Sequence, residues 1–348
     1  MRARKKYMFF IQGLVILFIF SFILFYNLNR SRVMVLHSYS NQIPEVAAFN
    51  EGFSDITKDL KNPYIVNSYM NIALATSPEE RMKFGLRSRE FIKEFDPEII
   101  VAVGEEAQEY VLRHNIDNLK TKVVFACIRP HSAHQYDKKA NATGVLEEIP
   151  MQAIKEVLAN TYKTQVDSGL PIHLIFIGDK SFRVNKEKSY ILQQNWDPFL
   201  VPNFIQVDTF DDWRREIIDL HKKKDTAVIF LLGYDHLTIR KDSGVKVPSR
   251  EILEWTLQYS PYPVIGLYEN HFYDGAPLSL SPSARESGEK AANYVKRLMC
   301  GDRMKDLPIL TTNQFMVGLR KGIGKKESFV IPKSFEVIAQ TNKRYVEE

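Results

Sequence analysis

Two cysteines in 348 residues leave the chain without a disulfide framework. A single bridge between Cys127 and Cys300 stays open, because sequence does not place their Cα atoms. No cysteine follows the N-terminal apolar run, which argues against a lipid-anchored start. Catalytic signatures are missing too: there is no Gly-x-Ser-x-Gly elbow, phosphate loop or His-Glu-x-x-His, and Gly318 to Gly324 lacks the spacing of a dinucleotide loop. His131-Ser-Ala-His134 has a metal-compatible spacing but sits in a polar, Pro-containing loop with no third ligand nearby, and a defined site needs three or four. Cys127 closes an apolar strand, the setting of a buried small residue rather than of a nucleophile. The expectation is a protein that is not an enzyme, with no catalytic residues, metal or cofactor.

A clustered basic field is also lacking. The formal charge is +5, but Arg2, Arg4, Lys5, Lys6, Arg30 and Arg32 precede the body with no acid among them. The body from residue 33 onward therefore carries a net −1. A near-neutral body argues against a nucleic-acid partner. No low-complexity linker interrupts it, and the body is longer than one compact core usually holds. Two lobes joined by short ordered crossings are expected.

One long uncharged run is present, Tyr7 to Tyr26. About 20 residues at helical rise span about 30 Å, the hydrocarbon thickness of a bilayer. Basic residues before it keep the N-terminus in the cytoplasm and send the body outward. Its length, and the absence of small residues around Phe25 to Asn29, suit a retained anchor better than a cleaved signal. The reading is a single-pass protein of a bacterial inner membrane, with a cytoplasmic tail at 1–6, a transmembrane anchor at 7–26 and its body in the periplasm.

The body alternates apolar strands with amphipathic helices. Strands are predicted at Val33 to Tyr39, Tyr64 to Met70, Pro97 to Val103 and Lys122 to Cys127, with a short extended piece at Thr143 to Leu146. Helices are predicted at Pro44 to Leu60, from Ser77 to Phe95 and after Gly104. Ser77-Pro-Glu-Glu is a helix start, with a cap, proline at the first helical position and Glu80 three residues on. A helix after Pro150 leads into a second set, with strands at Pro171 to Ile177, Phe204 to Val207, Ala227 to Leu232 and Val264 to Leu267. Its helices are expected near 185–195, 210–223 and 249–258. Leu278 to Ser281 reads as a return crossing and Pro282 to Cys300 as a long helix closed by Gly301. This is an α/β pattern of parallel strands covered on both faces.

The stretch Val-Leu-His-Ser-Tyr, the segment PEIIVAVGEEA, the TGV crossing and VIGLYENHFYDGAPLSLSPSARESGEKAANYVKRLMCGD resemble the ABC-type substrate-binding family of the type I periplasmic binding fold. The closer likeness is to its use as an extracytoplasmic sensor domain. The resemblance covers roughly residues 33 to 320 as a pattern of elements, and implies two α/β lobes that close on a small solute. Lobe 1 is expected at 33–145 plus 279–308, lobe 2 at 146–278 plus 309–335, and a C-terminal tail at 336–348. Arg129-Pro130 stands where the family usually has aspartate-proline, so recognition is expected to differ there.

Sensor members commonly continue into a second span and an output domain. This sequence shows no second apolar span, so a separate membrane partner is expected to carry the signal. The alternatives are the solute receptor of an ABC importer and a ligand-free scaffold of an envelope assembly.

In open α/β sheets the ligand sits beyond the carboxyl ends of the strands. Those loops offer Ser38, Tyr39, Gly104, Glu105 and Arg129 from the first lobe, and Asp179, Tyr234, Asp235, Glu269 and Asn270 from the second. Each has a structural alternative: Ser38 closes a turn, Tyr39 packs at the hinge, Arg129 pairs with an acid, and the carboxylates cap helices. Tyr39, Tyr234 and Tyr268 offer stacking faces. Arg129 facing Asp235 or Glu269 would hold a carboxylate at one end and an amine at the other, an amino-acid-like ligand.

Overall fold

The computed structural model describes residues 11–21, 30–60, 63–75, 77–113, 121–136, 140–200, 202–223, 225–241, 243–322 and 329–347. Residues 11–21 form an exposed helix. The rest of the expected anchor at 7–26 lies outside the described residues, among which no helix is long and apolar enough to cross a membrane.

The first lobe begins with β1 (Ser31–His37), α1 (Pro44–Thr57), β2 (Pro63–Tyr69), α2 (Pro78–Phe95) and β3 (Ile99–Val103). It continues with α3 (Glu105–Ala107, running into a π-turn at Gln108–Leu112), β4 (Lys122–Ile128) and β5 (Ala142–Leu146). Ser77 caps α2 as its sequence predicts, accepting the Glu80 N–H at 3.2 Å. The second lobe follows with α4 (Met151–Thr161), α5 (Lys163–Asp167), β6 (His173–Asp179), α6 (Phe182–Leu192), β7 (Asn203–Val207) and α7 (Phe210–Asp219). Then come β8 (Ala227–Leu231), α8 (Ser249–Tyr259), β9 (Val264–Gly266), α9 (Glu269–Asp274) and β10 (Leu278–Pro282). Finally α10 (Ala284–Met299) and β11 (Leu310–Thr311) return to the first lobe, and β12 (Phe315–Lys321), α11 (Lys333–Thr341) and β13 (Tyr345–Glu347) to the second.

The two sheets run β11-β5-β4-β3-β1-β2 and β13-β12-β10-β9-β8-β6-β7. All pairings are parallel except β10 with β12. Each central strand is buried on both faces, which is why the sequence reads as continuous apolar runs. On β1, Val33 and Val35 enter one core while Met34 and Leu36 enter the other. On β8, Val228 and Phe230 oppose Ile229 and Leu231 in the same way.

Three boundaries differ from the sequence reading. Leu278 to Pro282 is a strand of the second sheet, with Leu278 and Leu280 in its core, so the return crossing falls at Ser283. Its alternating serines suited a crossing between lobes, but as a strand between β9 and β12 it buries both hydroxyl side chains. β11 keeps residues 310–311 in the first sheet. The expected tail is not separate: Phe335 and Ala339 enter the second lobe's core and β13 pairs with β12. Cys127 and Cys300 are free thiols.

The return helix fixes the first lobe. A Cβ on Gly52 of α1 would strike the Arg285 backbone, and one on Gly288 of α10 would strike the Phe49 backbone. The helices touch backbone to backbone, which glycine alone permits. Gly288→Val should therefore cost at least the ~1–3 kcal/mol of an overpacked core, read as a lowered melting temperature. A melting temperature unchanged from the parent would contradict this contact.

Candidate functional site

The cavity lies where β1, β3 and β4 end, and is closed from the other lobe by the N-terminal turns of α6 and α9 and by the end of β10. Its volume is about 80 Å³. Six glutamates and two arginines line it: Glu45, Glu105, Glu106, Glu147, Glu187, Glu269, Arg129 and Arg183.

Ser38 follows β1 and spends its hydroxyl locally, donating to the Val103 carbonyl and accepting the Ala107 N–H, both at 2.9 Å. It thus fastens the start of α3 while still facing the cavity. Gly104 beside it has φ of +92°, and a Cβ there would meet the Ser38 Oγ at 2.6 Å, so both backbone conformation and space require glycine. The next two residues point carboxylates at the cleft. Glu105 accepts the Arg129 N–H at 2.8 Å, and Glu106 accepts the Tyr39 hydroxyl at 2.8 Å through Oε1.

Arg129 leaves β4 and crosses to the second lobe. Its Nε and Nη2 donate to Glu187 Oε1 of α6 at 3.1 and 2.6 Å, and its Nη1 to the Glu147 carbonyl at 3.2 Å. The side chains are 5% and 3% exposed. Arg129 therefore does pair with an acid across the lobes, but with Glu187 rather than Asp235 or Glu269. Glu269 lines the cavity and pairs instead with Arg344.

The remaining expected residues do not line the cavity. Asp179 ties two loops of its own lobe, accepting the Ser181 and His236 N–H groups at 2.9 and 3.1 Å. Tyr234 is buried, donating to Asp274 at 2.8 Å and stacking on His271. Asp235 accepts the Ser249 hydroxyl at 2.9 Å. Asn270 takes part through its backbone alone, its N–H reaching Glu45 Oε1 across the cleft at 3.0 Å. The Asp179, Tyr234 and Asp235 side chains thus make contacts within their own lobe. A position beyond a strand end does not settle which way a side chain turns.

Five charged lining groups were missed: Glu45, Glu106, Glu147, Arg183 and Glu187. The Arg183 guanidinium carbon lies 3.7 Å from the Tyr268 ring centroid, a cation–π stack, and 5.9 Å from that of Tyr39. Among the described residues no hydrogen bond or ion pair to that guanidinium is found. Ser181 caps α6 through the Val184 N–H, so the helix starts three residues before the predicted 185 and carries Arg183 into the cleft. Glu45 stands likewise in the first turn of α1, after Pro44. For Glu45, Glu106 and Arg183 the legible signal was a charged residue in the first helical turn after a strand, whereas Glu187 stands one turn further along its helix.

Burial, opposed by Arg183 and then reinforced by Glu269, pushes the Glu45 carboxyl up to about 7. Burial does the same to Glu105, to about 7 against the pull of the Arg129 N–H. It also raises Glu106 and Glu269. Oε2 of Glu45, Glu106, Glu187 and Glu269, the Tyr268 hydroxyl and the Ser281 Oγ are buried with no hydrogen-bond partner among the described residues. Polar groups in that condition cost free energy unless a solute or water reaches them.

No protein-family profile matches the chain, and no curated protein matches it. Among solved structures, it is similar to a conserved domain protein from Vibrio cholerae O1 biovar El Tor, at 15% identity and a TM-score of 0.62 over 92% of this chain and 99% of that one. It is also similar to an ABC domain in complex with L-Trp from Streptococcus pneumoniae, at 13% identity and a TM-score of 0.58 over 92% and 99%. A third is a substrate-binding protein with adhesive properties from Clostridium difficile, in its ligand-free, open form, at 13%, 0.55, and 91% and 99%. The chain has the two-lobed type I periplasmic binding protein fold.

Two measurements check this site. The folded protein holds the Glu45 and Glu105 protons more tightly than the unfolded chain. Their contribution to stability is therefore present below the ordinary carboxyl range and lost as pH rises toward 7. The melting temperature should fall between about pH 5 and about pH 8, and Glu45→Gln should flatten the fall; an unaltered slope would place these carboxyls in solvent. Glu187→Ala leaves a buried guanidinium unpaired and should cost ~3–5 kcal/mol, whereas Arg129→Met with Glu187→Leu should recover most of that loss. Denaturant melts that rank the double variant below Glu187→Ala would rule out the pair as described.

Proposed function

We propose that the chain is an extracytoplasmic solute-binding protein that closes its lobes on a small amino-acid-like solute and serves as the sensory subunit of a separate membrane partner. The observation that carries the reading is a cavity walled from both lobes in which a cation, Arg183, and buried oxygens of Glu45, Glu106, Glu187 and Glu269 have no hydrogen-bond partner among the described residues. Such groups make closure favourable when a solute bearing both charge signs brings the missing partners.

The L-Trp complex among the structural relatives and the open form of another are in keeping with this reading. Ligand contacts made to both lobes only in the closed form would shift the open–closed population and alter the surface offered to a partner. The run from Tyr7 to Tyr26 supports an inner-membrane anchor with the body in the periplasm. The binding reading, not catalysis, is what the cavity favours.

The test is native mass spectrometry of the full-length protein, purified gently in detergent, followed by identification of small molecules released on denaturation. A co-purified amine-bearing solute is expected. If none is released, no metabolite shifts the melting temperature and a large complex stays bound, the chain is an envelope scaffold instead.

A further inference from the structure

Resting on that reading, the charges of the cavity say more about the solute. The charge of Arg129 is paired with Glu187, and that of Glu269 with Arg344. Glu45, Glu105, Glu106 and Glu147 then stand against one uncommitted cation, Arg183. Each of these four accepts a hydrogen bond: from the Asn270 N–H, the Arg129 N–H, the Tyr39 hydroxyl and the Ser287 hydroxyl respectively. None of those donors brings a net charge of its own to the carboxylate it contacts, except as part of the committed Arg129. A cleft closed with this excess of acid needs cations from the solute or protons from solvent.

The free positions are specific. Glu45 and Glu106 each keep one buried oxygen without a partner, and Arg183 is close enough to be the leading charged influence on both. One guanidinium and two carboxylates thus share the wall of one cavity, with aliphatic wall from Ile43, Val46 and Val103. The complement is one carboxylate, two ammonium groups and a short carbon chain. The cavity of about 80 Å³ holds on the order of six water positions at ~10–15 Å³ each, which favours a small solute.

We infer that the solute is a small diamino monocarboxylic acid, its carboxylate on the Arg183 fork and its two ammonium groups on Glu45 and Glu106. A neutral amino acid of the same length leaves one buried carboxylate unpaired, and a simple diamine leaves Arg183 unpaired. Sites built around charged hydrogen bonds reject analogues that omit a partner.

Isothermal titration of the full-length protein in detergent at about pH 8, where raised carboxyls near 7 are ionised, separates these cases. L-ornithine and L-2,4-diaminobutyrate should bind at least tenfold more tightly than L-norvaline, and at least tenfold more tightly than putrescine. Glu106→Gln should narrow the first gap, and Arg183→Met should narrow the second. Each variant is checked for an intact cooperative melt, and either one suffices. Norvaline binding as tightly as ornithine would overturn the diamino inference while leaving the amino-acid reading in place. Heat from a sugar such as ribose, with none from any amino acid, would overturn both.

Discussion

A cleft lined by six glutamates and two arginines can close only if its charges find partners as water leaves. That requirement governs the rest of the site. Arg129 and Glu187 meet from opposite lobes at 2.6 Å with both side chains nearly out of solvent. Such a pair gives closure a fixed register more than a large driving force, because desolvation offsets much of the attraction. What it leaves over is a set of carboxyls that burial has made reluctant to ionise. A solute cation in the cleft would supply the charge these carboxyls lack.

The lobes can meet in one register because each is stiff by itself. Both sheets are buried on two faces, and the Gly52 and Gly288 contacts lock α1 against α10. The chain crosses between lobes at 147–150, at 283 and at 312–314, in short segments outside helices and strands. Rigid bodies on a few short connections move as a hinge, with φ/ψ changes confined to those connections. Across the cleft, the Asn270 N–H reaches Glu45 and Lys246 reaches the Ala73 carbonyl. The Tyr110 and Phe182 rings, 6.5 Å apart between centroids, add an aromatic contact.

The architecture was legible in sequence because parallel strands covered on both faces leave a strong apolar signature, as at Val33 to Leu36 and Ala227 to Leu231. The last third was harder. Ser279 and Ser281 alternate with leucines, a pattern shared by half-exposed strands and loops, and only the neighbours β9 and β12 reveal that Leu278 to Pro282 is buried throughout. In the site, the loops after β1, β3 and β4 were found, with Ser38, Tyr39, Gly104, Glu105 and Arg129 all at the cavity. The second lobe was less readable. Asp179 and Asp235 occupy the right loops and turn away, whereas Arg183 and Glu187 face in from a helix that periodicity alone placed three residues late. Which face of a helix meets another lobe depends on the lobe contact, and no local pattern encodes it.

The position of Arg129 has a backbone cause. Cys127 lies at φ of +56°, a left-handed conformation that costs a non-glycine residue about 1 kcal/mol or more. The pairing of β4 with β5 shifts register between Phe125 and Ile128 at the same place. Such a bulge re-aims the residues beyond it. Here it delivers the Arg129 N–H to Glu105 and the guanidinium to Glu187. Burial, with the Glu147 charge adding to it, holds the Cys127 thiol well above its ordinary range, so the thiol stays protonated and inert. The strain at Cys127 thus has its return in the ion pair two residues on, and the cysteine belongs to the site as a bend in its wall.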